Sequence, residues 1–109
     1  MTSVVVPDAA DPLRLMTAIR KVLKPGGTYL CGEPNYGEKV EDNVGPRHAV
    51  LYGGSIFYCL TTSLANNGVG LGSLGLPDSK SREFAEKAGF GSVRRLDLDP
   101  KGRIYLLDL

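Results

Sequence analysis

From Ala49 to Pro77 the sequence carries no charged residue, and this stretch fills more than a quarter of a 109-residue chain. An uncharged segment of that length has to be covered, by the chain's own elements, by another copy or by lipid. Its first part, Ala49–Ala65, predicts a helix with Leu51, Ser55, Tyr58 and Thr62 on one side and Val50, Phe57, Leu60 and Leu64 elsewhere. Apolar almost all round, such a helix is expected to be buried on most sides. Lipid is the poorest cover, because a span of about 17 residues interrupted by glycine and rich in Ser and Thr falls short of a bilayer crossing. Gly53-Gly54 in the middle of it costs about 2 kcal/mol relative to alanine, which predicts a kink, a close helix contact or an approach to a ligand.

The rest of the chain is punctuated more sharply. Val4–Val6 is a β-branched run stopped by Pro7, and predicts a brief strand. Asp11-Pro12 opens a helix with Asp11 as N-cap, along which Leu15, Ile19, Val22 and Leu23 recur at helical spacing. Pro25-Gly26-Gly27 ends that helix, and Thr28–Glu33 follows as a strand closed by Pro34. Asn35–Arg47 is polar with charges of both signs, the composition of a surface excursion. Asn66–Leu76 reads as a glycine-rich loop, and Lys80–Ala88 as a helix capped by Asp78 or Ser79 and stopped at Gly89. Val93–Leu98 and Arg103–Leu109, joined by Asp99-Pro100-Lys101-Gly102, predict an antiparallel hairpin. Arg94, Arg95, Lys101 and Arg103 alternate with Asp97, Asp99 and Asp108 there, which predicts a solvated face with cross-strand ion pairs.

Composition narrows the classes of function. A net charge of +1 gives no electrostatic drive toward nucleic acid or anionic lipid. Cys31 and Cys59 lie in separate apolar runs without ligand-like spacing, so they are expected to be reduced, buried thiols of a cytoplasmic protein rather than metal ligands. No basic segment followed by a long apolar run opens the chain, so no secretory signal is expected. His48 is the single histidine, which rules out any site built on two.

Three phrases carry a family resemblance. Ile19-Arg20-Lys21-Val22-Leu23-Lys24-Pro25-Gly26-Gly27, then Tyr29-Leu30-Cys31-Gly32-Glu33-Pro34, then Lys87-Ala88-Gly89-Phe90 with Val93 resemble the C-terminal half of the class I S-adenosylmethionine-dependent methyltransferases. Glu41-Asp42-Asn43 and the helix after it resemble an insert of some bacterial members. The resemblance implies an α/β fold: a partial Rossmann-like sheet of three to four strands ending in an antiparallel hairpin, flanked by about three helices. It implies one domain over residues 1–109, with an insert or lid at about 35–77. It covers only half of the family's domain, so the strands expected to hold the cofactor are missing. S-adenosylmethionine belongs to an intact parent, and no cofactor or metal is expected for this chain alone. The implied role is the substrate side of a small-molecule methyltransferase, inactive by itself. Its expected partner is a second copy or the missing N-terminal half. The competing expectation is a non-catalytic oligomerisation or small-molecule-binding module on the same half-fold.

Candidate site residues follow from position. Glu33 ends an apolar strand, where ligands of open α/β sheets collect, or else caps the turn near Asn35. Tyr52, Ser55 and Tyr58 give the uncharged helix the polar and aromatic mixture of a pocket wall, as well as that of a packed interface. These four are the candidate substrate contacts, and His48 is a candidate general base. Gly70-Leu71-Gly72-Ser73-Leu74-Gly75 matches a dinucleotide-binding pattern in letters only. It follows a helix instead of a strand and runs into Leu76-Pro77, so a flexible lid loop is the better expectation.

Overall fold

Among the described residues, four strands and four α-helical segments make an α/β structure. The computed structural model describes residues 1–3, 5–97 and 100–109. In chain order the elements are β1 (Thr2–Ser3), α1 (Pro12–Val22), β2 (Thr28–Pro34), α2 (Pro46–Gly54), α3 (Leu60–Ala65), α4 (Asp78–Ala88), β3 (Ser92–Leu96) and β4 (Gly102–Asp108). The sheet order is β1-β2-β4-β3. β1 runs parallel to β2, and β4 lies antiparallel between β2 and β3. Val4, Leu98 and Asp99 lie outside the described residues, and with them parts of the expected first strand, third strand and hairpin turn.

Local chemistry accounts for the boundaries. The Asp11 carboxylate accepts from the Arg14 amide at 2.9 Å, and Pro12 occupies the first turn of α1. Gly26, at φ 76°, turns the chain into β2. Gly89, at φ 91°, ends α4, and the Phe90 amide folds back onto the Ala85 carbonyl at 3.1 Å. Phe90 is thereby buried and stacks on Tyr29 with ring centroids 6.2 Å apart.

Strand alternation builds the core. Tyr29, Cys31 and Glu33 of β2 stand opposite Leu107, Tyr105 and Arg103 of β4, and all six are buried. Met16 of α1 and Ala85 and Ala88 of α4 cover this face with Val6, Leu76 and Phe90. The Arg20 Nε donates to the Gly89 carbonyl at 2.6 Å and ties the two helices together. A small apolar cavity of about 10 Å³ remains among Met16, Cys31, Leu76, Ser81, Tyr105 and Leu107.

Several expectations need correction. The first strand is Thr2–Ser3, with Val6 buried in the turn after it. Val22 is exposed, because α1 ends there and its covered face is Pro12, Met16 and their neighbours. Pro77, extended at φ −64° and ψ 170°, takes the N-cap position of α4. Glu38 serves that helix end instead, accepting from the Ser79 amide at 3.0 Å and hydroxyl at 2.6 Å. Within the expected surface excursion, Tyr36 and Asn43 are buried.

The largest correction concerns the uncharged helix. It starts at Pro46 and opens into a π-helical turn over Ser55–Cys59, directly after the two glycines. The wider turn keeps Ser55, Cys59 and Ser63, four residues apart, on one buried line. The opposite side, expected to be covered, is exposed. Among the described residues, no helix is long and apolar enough to cross a membrane.

Candidate functional site

At the C-terminal end of β2 the buried face of the sheet turns polar. Glu33 and Arg103 are register partners on β2 and β4 and are 4% and 1% exposed. Sequence reasoning missed Arg103 by grouping it with the solvated cations of the hairpin. The signal was present in the alternation Arg103, Tyr105, Leu107, which puts the arginine on the same face as two core residues.

Arg103 gathers three elements. Its guanidinium donates to the Tyr36 carbonyl at 3.3 Å and to the Leu76 carbonyl. It also lies over the Tyr36 ring at 4.3 Å and the Tyr105 ring at 5.5 Å. The Tyr36 hydroxyl in turn accepts from the Leu76 amide at 2.9 Å. The residues that open and close the insert are therefore bonded to each other and to β4.

Glu33 sits less comfortably. Its Oε1 accepts from the Cys31 thiol at 3.7 Å, while its Oε2 has no hydrogen-bond partner among the described residues. Arg103 Nε and Asp8 Oδ1 are likewise buried without partners among them. Burial pushes the Glu33 carboxyl up to about 7, against the opposing pull of Arg103 and with a further push from Asp8. Burial first, and then the Glu33 charge, raise the Cys31 thiol to about 12. The Tyr36 hydroxyl also rises to about 12, through burial. The cluster thus holds a carboxyl able to change protonation near neutrality, beside a fixed cation, and no activated nucleophile.

The other predicted site residues do not all converge on it. Ser55 is buried, and its hydroxyl accepts from the Ser73 amide at 3.1 Å. It reaches the cluster only through the loop that runs on to Leu76. Tyr52 is half-buried on α2, and Tyr58 is exposed on the π turn. His48 Nδ1 donates to the Val44 carbonyl at 2.9 Å, one helical turn back. Among the described residues no hydrogen bond joins His48 to Glu33, Ser55 or either tyrosine.

The glycine loop is packed differently from a phosphate cradle. Gly70 N donates to the Ser63 hydroxyl at 3.1 Å, Gly75 N to the Gly72 carbonyl at 3.0 Å, and Ser73 N to Ser55. A Cβ on Gly72 would stand 2.4 Å from the Ser55 hydroxyl, and one on Gly70 2.8 Å from Leu64. The glycines admit close packing of the loop on the π turn and α3, and the Gly70, Ser73 and Gly75 amides are used within the chain. The loop is pinned where a free lid was expected. Among the described residues no cluster of His, Cys, Asp or Glu could hold a metal ion.

No protein-family model matches the chain, and a search of curated proteins finds no significant relative. What the fold and the cluster define, among the described residues, is a four-stranded mixed α/β sheet with a buried polar centre at the C-terminal end of β2.

Proposed function

We propose that this chain is the acceptor-side half of a class I methyltransferase-type domain and does not bind the methyl donor by itself. The observation that carries this reading is the sheet. A parallel pair, β1 and β2, is joined through α1, and a terminal hairpin sets one antiparallel strand, β4, between β2 and β3, in keeping with the hairpin-ended sheet that the resemblance of Ile19–Gly27 and Lys87–Phe90 implies. Glu33 at the C-terminal end of β2 occupies the place where an acceptor is oriented. Its readiness to gain or lose a proton near neutrality suits contact with a hydroxyl or amine of a small molecule. In an intact parent, His48, Tyr52, Ser55 and Tyr58 would join Glu33 nearest the acceptor, as the resemblance implies. Methyl transfer asks chiefly for alignment and exclusion of water, and this half contributes the wall rather than the donor. The compartment we assign is the cytoplasm, consistent with two free, buried thiols.

Isothermal titration calorimetry of the chain with S-adenosylmethionine tests the reading, with no binding heat expected. Clear micromolar binding would place a donor site within these residues and overturn it. The reading also predicts that the cofactor-side elements, a strand leading into a glycine-rich turn and a second strand ending in an acidic residue, are encoded immediately upstream of Met1 or in a separate partner gene.

A further inference from the structure

Where the insert returns to the sheet, a buried cation and a buried carboxyl stand side by side without meeting. Glu33 and Arg103 are cross-strand partners on the covered face of the sheet. Among the described residues no hydrogen bond or ion pair joins them, and Glu33 Oε2 and Arg103 Nε each stay without a partner. Arg103 directs its two terminal nitrogens elsewhere, Nη1 to the Tyr36 carbonyl at 3.3 Å and Nη2 to the Leu76 carbonyl.

The shape of the guanidinium gives that division a consequence. A carboxylate is held best by two parallel N–H groups on one edge of the plane. The edge that Arg103 leaves half-used is the one formed by Nε and Nη2. A neutral carboxyl competes weakly for it, and the Leu76 carbonyl keeps Nη2. An ionised carboxylate, buried beside the cation with one oxygen unbonded, competes strongly. The Leu76 carbonyl is not orphaned by losing Nη2, because the Ser81 hydroxyl also donates to it at 3.3 Å.

The groups that face Glu33 set its charge. On its own strand the Cys31 thiol donates to Oε1, and burial lifts that thiol to about 12 and raises Tyr29 as well. From the insert, Tyr36 is likewise lifted to about 12 by burial. The turn after β1 contributes the like charge of Asp8, beside which the Cys59 thiol of the π turn is also raised by burial. From β4 comes the permanent cation of Arg103. Glu33 itself, pushed up to about 7 by burial, changes charge near neutrality.

We infer that Glu33 and Arg103 form a proton-operated latch on the end of the insert. With Glu33 neutral, Arg103 ties the Leu76 carbonyl to β4; with Glu33 ionised, Nη2 passes from Leu76 to the carboxylate and the tie is released. Acid therefore favours the tied form and base the released one, since the tied form is the one that holds the proton. The release is local. The Leu76 amide keeps the Tyr36 hydroxyl, and Ser63, Val69 and Arg47 still seat the insert on the Ala9, Ala10 and Lys101 carbonyls. What loosens is the short exit where the glycine loop runs through Leu76 into α4.

Crystal structures of the full chain at pH 5.5 and pH 8.5 test the latch. At the lower pH the arrangement described above is expected. At the higher pH, Nε and Nη2 should both stand about 2.7–2.9 Å from the Glu33 oxygens, with the Leu76 carbonyl left to Ser81. In solution, the carbonyl carbon resonance of Leu76 should titrate with a midpoint near 7. Glu33→Gln should abolish that titration and keep Arg103 on Leu76 at both pH values. Arg103 bonded to Leu76 at both pH values in the wild type would overturn the latch. So would a Glu33–Arg103 pair that forms with the Leu76 bond intact, or a Leu76 titration that survives in Glu33→Gln. The latch does not rest on the acceptor reading: donor binding in calorimetry would overturn that reading and leave these outcomes unaffected.

Discussion

Replacing Glu33 by glutamine should make the protein more stable, and by an amount that depends on pH. The carboxyl ionises at its ordinary value of 4.5 in the unfolded chain and at about 7 in the fold. Between these values the folded state binds the proton more tightly, so wild-type stability falls as pH rises through the window. At about 1.4 kcal/mol for each tenfold change, ionising Glu33 inside the fold costs on the order of 3 kcal/mol more than ionising it in water. The residue is 4% exposed, so solvent screening removes little of this. Glutamine keeps the shape and the acceptor for the Cys31 thiol but cannot ionise. Glu33→Gln and wild type should therefore be close in stability at pH 4.5. By pH 8 the variant should lead by about 2–3 kcal/mol, a large share of a marginal stability. Urea denaturation followed by circular dichroism at half-unit steps of pH measures the difference directly. A constant offset between the two curves from pH 4.5 to 8 would refute the claim that a neutral Glu33 is the form the fold prefers.

Three further substitutions test the packing. Arg103→Met removes the donors to the Tyr36 and Leu76 carbonyls and the cation beside Glu33. The expected cost is about 3–5 kcal/mol by urea titration. The Glu33 titration should also move to still higher pH, because Arg103 holds it down. Gly72→Ala faces a φ of 75° and the Ser55 hydroxyl and should cost about 1–3 kcal/mol. Gly53→Ala meets open space in a helix and should stabilise the chain by up to about 1 kcal/mol. Equal effects at the two glycines in thermal melts would contradict the packing described for the loop.

What was legible in the sequence was whatever local chemistry decides. Asp11-Pro12, Pro25-Gly26-Gly27 and Gly89 announce their boundaries because capping and left-handed turns depend on a few adjacent residues. The α/β class and the terminal hairpin followed from the same marks. Arg103 was not legible as a core residue, since a cation in a hairpin is ordinarily solvated. Only the register opposite Glu33 and the closing of Tyr36 and Leu76 over it make burial tenable. The exposure of Val50, Phe57 and Leu64 was also hidden, because an apolar helix predicts cover without naming its source. Glu33 and Ser55 were singled out from position alone, yet their burial and separate partners depend on tertiary contacts that no local pattern encodes. The bond from His48 to the Val44 carbonyl, just before its helix, likewise follows from the backbone turn and not from a sequence motif.

The bond from the Leu76 amide to the Tyr36 hydroxyl, closed over by Arg103, means that the excursion leaves the sheet and returns to it at one point. The insert is seated elsewhere as well: Ser63 and Val69 donate to the Ala9 and Ala10 carbonyls, and Arg47 to the Lys101 carbonyl. Exchanging it for other sequence would therefore mean rebuilding those seats along with the doorway.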